Sequence, residues 1–229
     1  MPTDTITIPV SSGEISGYYA WPENDGPWPA VVIIHELFGL NENIRDTARR
    51  FAAQGYAALA VDLFHGRNRT VCMARFMGGM FLRSLDHGAI GDLKASLSHL
   101  ASLPGVDPQR LGAIGFCMGG SFAIAWACTD DRLKVIAPFY SMNPRPLDAV
   151  ARSCPVVGSF PEKDFTASGA RKLEEILDRS DVPRDFKTYP GAKHSFFNDR
   201  GDNYDPAASE DAWNRTLAFF SNHLPTTTS

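Results

Sequence analysis

Gly115-Phe116-Cys117-Met118-Gly119-Gly120 is the stretch on which the reading of this chain turns. It has the spacing of a nucleophile elbow, with cysteine where most such elbows hold serine. The run before it, Arg110-Leu111-Gly112-Ala113-Ile114-Gly115, has the character of a buried strand. The run after it, Ser121-Phe122-Ala123-Ile124-Ala125-Trp126-Ala127-Cys128, has that of a buried helix. The side chain of residue 117 therefore stands on a sharp strand-to-helix turn. Such a turn crowds its own backbone, and Gly115 and Gly119 suit it because they lack a Cβ. The first turn of the helix supplies free N–H groups and a positive dipole end, both favourable to a thiolate or an oxyanion. Taken alone, Gly-x-Cys-x-Gly fits a buried structural cysteine better than a nucleophile, because free cysteine is among the most buried residue types. The flanks, and partners elsewhere in the chain, reverse that preference.

Outward from the elbow, strands and helices alternate. Upstream, Ala30-Val31-Val32-Ile33-Ile34-His35 is a continuous apolar run, as expected of a strand covered on both faces. A helix over 43–54 follows, with Ile44, Ala48, Phe51 and Ala52 at helical spacing and Gly55 as its stop. A second strand, 56–61, ends at Asp62. Residues 63–84 have no clean period and read as an irregular excursion that can overhang a pocket, and 85–103 carries helical spacing. Downstream, the spacing predicts strands over 133–139, 155–160 and 185–189 and helices over 168–179 and 206–223. The first twenty residues alternate apolar and polar around Ser11-Ser12-Gly13, which predicts an antiparallel hairpin at a sheet edge, with a proline-rich loop over 22–29. The order implies βαβ units: one α/β domain over 1–229, with a mostly parallel sheet, helices on both faces and a frayed tail at 225–229. Reactive groups in such a sheet gather where loops leave the carboxyl ends of the strands.

Composition narrows the function. The 229 residues are 44% hydrophobic and 21% charged with a formal net charge of −4, which invites neither nucleic acid nor an anionic membrane. No apolar run is long enough to span a bilayer, and the N-terminus lacks the basic and apolar regions of a signal peptide. Cytoplasmic location is the expectation, with the four cysteines (Cys72, Cys117, Cys128 and Cys154) reduced.

A thiol is only a few per cent ionised at neutral pH, so a nucleophilic cysteine needs a base. Ser159-Phe160-Pro161-Glu162-Lys163-Asp164 follows one predicted strand, where the acid of a hydrolase triad belongs, and Glu162 is a rival for the role. Tyr189-Pro190-Gly191-Ala192-Lys193-His194 follows the last strand, where the histidine belongs. The chain order of nucleophile, acid and histidine is that of α/β hydrolases. His194 would exchange protons with sulfur and with the oxygens of the substrate, and Asp164 would orient the ring. His35-Glu36-Leu37-Phe38-Gly39 begins like a zinc-binding helix, but position 39 is glycine where a second histidine is required, so no metal is expected. Glu36, at the end of a buried strand, either anchors a local network or faces the site. The loop after it donates the second oxyanion N–H in this fold, which points to the amides of Leu37 and Met118. His65, His87, His99 and His223 have no motif around them and read as surface or packing residues.

Taken together, His35-Glu36-Leu37-Phe38-Gly39-Leu40, Asp62-Leu63-Phe64, Gly91-Asp92-Leu93, the elbow, Asp164 and Gly191-Ala192-Lys193-His194-Ser195-Phe196 resemble the dienelactone hydrolases (carboxymethylenebutenolidases) over residues 30–220. The resemblance implies a cysteine nucleophile without a cofactor. It also implies that Glu36 takes part in switching Cys117 to thiolate when substrate binds. In that family two arginines hold the substrate carboxylate. The first position falls at Arg75 or Arg83, and the second, four residues after the histidine, is Asn198 here, with Arg200 two residues on. Phe38 is a further candidate for lining the pocket. The expected reaction is hydrolysis of a small ester or enol lactone through a thioester. The Asn198 departure keeps a broad carboxylesterase for uncharged esters as an alternative, and a non-catalytic ligand-binding protein is the alternative of another kind. Whether one copy or two forms the working unit stays open.

Overall fold

A computed structural model describes residues 1–11, 13–64, 76, 78, 79 and 84–226. Among the described residues, eight strands form one sheet in the order β1-β2-β4-β3-β5-β6-β7-β8. They are β1 (Thr3–Val10), β2 (Gly13–Ala20), β3 (Trp28–Ile34), β4 (Ala57–Val61), β5 (Val106–Phe116), β6 (Leu133–Phe139), β7 (Val156–Pro161) and β8 (Arg184–Tyr189). The N-terminal hairpin is antiparallel, with Thr3 opposite Ala20 and Val10 opposite Gly13, and β2 pairs antiparallel with β4. Every other pairing is parallel. This is the α/β-hydrolase arrangement expected from the sequence.

Among the described residues, the helices that cover the sheet include α1 (Glu42–Ala53), α2 (Gly88–Ser102), α3 (Met118–Ala127), α4 (Ala167–Arg179) and α5 (Pro206–His223). Alternate residues of each central strand serve opposite faces. Val32 and Ile34 join the cluster that holds Leu93 and Leu97 of α2 and Phe122 and Trp126 of α3. Val31 and Ile33 join the one that holds Ala48 and Phe51 of α1 and Trp213 and Phe220 of α5. Coverage on both sides explains why β3 and β4 are apolar without alternation.

The differences from the sequence reading are local. β3 opens at Trp28, so Pro29 lies inside the strand rather than in the loop before it. Proline has no N–H to give, and the β3–β5 ladder shifts register between Trp28 and Ala30. α3 begins at Met118, three residues earlier than its apolar pattern suggests, because Gly119 and Gly120 read as turn residues and are helical. A short 3-10 helix, Leu147–Arg152, lies in the loop between β6 and β7. His87 caps α2, its ring nitrogen accepting from the Ala89 N–H at 3.0 Å. Most of the irregular excursion, including Arg75, Arg83, His65 and Cys72, lies outside the described residues.

Candidate active site

Sheet register brings the site together. Ile34 pairs with Gly115, so β3 and β5 leave the sheet side by side, and Glu36-Leu37 runs beside Cys117-Met118. Phe116 pairs with Phe139 and Phe139 with Ser159, which sets Tyr140 and the Asp164 loop next in line. Pro161 pairs with Tyr189, and the loop beyond β8 carries His194.

At the elbow, Cys117 has φ 53° and ψ −115°, a left-handed backbone that is unusual for a residue with a side chain. Its N–H is fixed by the Phe139 carbonyl at 3.0 Å. The turn closes because two flanking residues have no Cβ. A Cβ on Gly115 would stand 2.2 Å from the Gly119 carbonyl oxygen, and one on Gly119 would stand 2.3 Å from that of Ile34. The first turn of α3 thus presses against the exit of β3, with Leu37 and Met118 next to the contact.

Beyond β7, Asp164 is fully buried on its side chain. Its Oδ2 lies 2.5 Å from His194 Nδ1 and its Oδ1 accepts from the Thr166 N–H at 2.8 Å. With Nδ1 bound to the carboxylate, Nε2 is left for proton exchange. The rival acid, Glu162, instead accepts from the Gly191 N–H at 3.2 Å and holds the histidine loop from outside. The exposed Phe165 ring stacks on the His194 imidazole at 5.4 Å between centroids, and the Tyr140 ring meets it edge-on at 5.0 Å.

Glu36 is 3% exposed and sits among donors. Tyr140 Oη donates to its Oε1 at 2.6 Å and Asn198 Nδ2 to its Oε2 at 3.3 Å, while the Ser195 hydroxyl is a third partner. Burial raises its carboxyl above the ordinary range, against the pull of these hydrogen bonds and of His194. The Cys117 thiol is pushed up to about 12, by burial first and then by the Glu36 carboxylate. Asp164 adds to the rise, and the Met118 N–H opposes it.

His35 is a structural bridge. The Leu63 N–H donates to its Nε2 at 3.1 Å, so Nδ1 carries the hydrogen and donates to the Glu36 carbonyl at 2.6 Å. Asp62 Oδ1 lies 3.7 Å from the same Nε2. The ring ties the end of β4 to the peptide that carries Glu36. Gly39, at φ 76°, closes the turn onto that same carbonyl.

A profile of the dienelactone hydrolase family matches residues 15–224. The chain belongs to that family. A protein of Escherichia coli K12, provisionally named carboxymethylenebutenolidase, is 30% identical over an alignment that covers 93% of this chain and 84% of that one. Protein usf of Aquifex pyrophilus is 32% identical over 92% of this chain and 94% of its own. The crystal structure of a dienelactone hydrolase-like promiscuous phosphotriesterase from metagenomic libraries superposes with a TM-score of 0.87 at 25% identity, covering 97% and 98% of the two chains.

Against the family expectation of an arginine four residues after the histidine, Asn198 is 5% exposed with its carboxamide on Glu36. Its Oδ1 accepts from the Arg200 N–H at 3.1 Å, and Arg200 itself is exposed. Phe38 is 53% exposed. Tyr140 carries no motif that singles it out in the sequence. The available signal was its place directly after Phe139, at a strand's carboxyl end.

Proposed function

We propose that this dienelactone hydrolase family member cleaves a small carboxylic ester or enol lactone by way of a Cys117 thioester. The single observation that carries the reading is the His194–Asp164 contact, with Asp164 near enough to act on the sulfur of a cysteine held in left-handed backbone at a glycine-flanked elbow. Sulfur attacks the carbonyl carbon as its proton passes to His194 Nε2. The tetrahedral oxyanion takes hydrogen bonds from the Leu37 N–H in the loop after β3 and from the Met118 N–H at the head of α3. Collapse breaks the C–O bond, and the leaving oxygen takes the proton from His194. The result is a thioester and an alcohol, or in a lactone a tethered enol. Water then attacks the thioester with His194 as base, the C–S bond breaks, and the thiol regains its proton.

Burial, and after it the Glu36 carboxylate close to the sulfur, hold Cys117 as a thiol at rest. Substrate that displaces or neutralises Glu36 would release the nucleophile. A second reading, a carboxylesterase for uncharged acyl groups, draws on Asn198, whose amide bonds Glu36 and carries no charge for a substrate carboxylate.

The test is hydrolysis of 4-nitrophenyl acetate and of a dienelactone by the wild type and by Cys117→Ala. Loss of about three or more orders of magnitude in kcat/KM with alanine supports the reading. Wild type inert on both substrates, or full rate with alanine, ends it.

A further inference from the structure

A cleft of about 350 Å³ opens beside the reacting groups, between the exit of β6 and the first turn of α4. It shares Phe165 with them, since that ring both lines the cleft and stacks on His194. It also shares the Asp164 loop, because the Thr166 N–H that holds Asp164 belongs to another lining residue.

The lining is unusual in what it leaves unpaired. Among the described residues, six buried side-chain polar atoms have no hydrogen-bond partner, and three of them, Ser141 Oγ, Asn143 Oδ1 and Thr166 Oγ1, belong to residues lining this one cleft. Ser141 is 1% and Thr166 2% exposed, so neither side chain is simply solvated. Buried polar groups are ordinarily paired, and a concentration of exceptions asks for a partner. Thr166 is also the residue at which α4 starts, yet its hydroxyl caps nothing. The positive end of a thirteen-residue helix therefore meets the cleft without a side-chain cap. Two cationic residues, Arg145 and Lys172, line it, and among the described residues of the lining none is acidic. Met142, Leu147 and Phe165 make the rest of the wall apolar.

Resting on the hydrolase reading above, we propose that this cleft receives the far end of the substrate, an apolar arm that terminates in an anionic group, and so selects which ester is cleaved. The hydroxyls of Ser141 and Thr166 donate to the anion, and Lys172 and the head of α4 supply opposite charge. Asn143 spends its Nδ2 on the Gly169 carbonyl at 2.8 Å, so its Oδ1 accepts from a hydroxyl or amide N–H along the arm. At roughly 30 Å³ for each water-sized group, the volume holds about ten such groups, more than a bare carboxylate needs.

The experiment compares three 4-nitrophenyl esters of one chain length: the glutarate half-ester, its phosphonate-ended analogue and the neutral pentanoate. The wild type is expected to favour one or both anionic esters by at least about tenfold in kcat/KM. Lys172→Met, and separately Ser141→Ala, should lower that ratio about tenfold, mainly through KM. Arg171→Met, exposed on the same helix outside the lining, should leave the ratio alone. Equal rates for anionic and neutral esters in the wild type, or a ratio that survives both cleft substitutions, overturns the proposal. Calorimetric titration of Cys117→Ala with monomethyl glutarate separates the two readings. Binding that Lys172→Met abolishes, beside a wild type that hydrolyses nothing, leaves the cleft standing and sinks the thioester chemistry. No binding, beside a wild type that hydrolyses all three esters alike, does the reverse.

Discussion

Replacing Glu36 by glutamine removes one negative charge beside the Cys117 sulfur at nearly constant size. The thiol is pushed from its ordinary 9.0 up to about 12. At about pH 8 that leaves roughly one molecule in ten thousand as thiolate, against about one in ten for an unperturbed group. Burial ranks ahead of Glu36 among the causes and the Met118 N–H pulls the other way, so about half of the gap is a working share for the charge. Glu36→Gln should therefore multiply the thiolate at pH 8 by up to about thirtyfold. The amide keeps the bond from Tyr140 and gives up the one from Asn198, so the fold should persist. The assay is alkylation by iodoacetamide between about pH 7 and 10, read as modification of the Cys117 peptide by mass spectrometry, with Cys117→Ala as the blank for the other thiols. The glutamine variant should react faster at pH 8 and reach half-reactivity at lower pH. Wild-type Cys117 reacting at pH 8 like an ordinary exposed thiol would refute the reasoning, and so would a glutamine variant no faster than wild type.

Tyr140→Phe deletes a hydrogen bond to a buried carboxylate, which costs about 1.5–3 kcal/mol and lowers Tm by about 3–12 °C in a chain of this size. An unchanged Tm would mean that Glu36 has another donor for Oε1. Gly119→Ala sets a methyl 2.3 Å from a backbone carbonyl that cannot rotate away. A cost near the upper end of overpacking, about 3 kcal/mol, predicts a fall in Tm of about 6–12 °C, or insoluble protein. Asp164→Asn should cut kcat/KM by about three to four orders of magnitude while calorimetry shows the fold intact, because the imidazole loses the carboxylate that fixes its tautomer. The raised Cys117 and Cys128 thiols, each at about 12, contribute stability that is complete below pH 9 and lost as pH rises toward 12. The urea midpoint should fall from pH 9 to 11, and a rising midpoint would contradict the assigned directions.

The fold was legible because its signals are local: unbroken apolar runs for two-sided strands, a helical period for α1 and α5, and alternation for the hairpin. The contact between Asp164 and His194 was legible because each follows a strand in the order that an elbow requires. The network around Glu36 was not. Tyr140, Ser195 and Asn198 come from two different loops, and nothing in their own neighbourhoods marks them as partners of a carboxylate more than a hundred positions away. Sheet register brings them together, and spacing does not reveal the register. The cleft was hidden for a similar reason. Ser141, Thr166 and Lys172 are ordinary surface-type residues until the β6 exit and the start of α4 are seen to face each other. The start of α3 was misplaced because glycine is a poor helix former whose presence here answers crowding rather than propensity.

The elbow glycines bear on how this site could change over generations. Gly115 and Gly119 are hemmed in by main-chain atoms, so neither can gain even a methyl without displacing a neighbouring element. Cys117, midway between them, has its N–H held by the Phe139 carbonyl and its carbonyl by the Ser121 N–H, while its sulfur reaches the Met118 N–H. Such a mount can trade sulfur for oxygen, a change of one atom at the reactive position. It cannot accept one added carbon on either side.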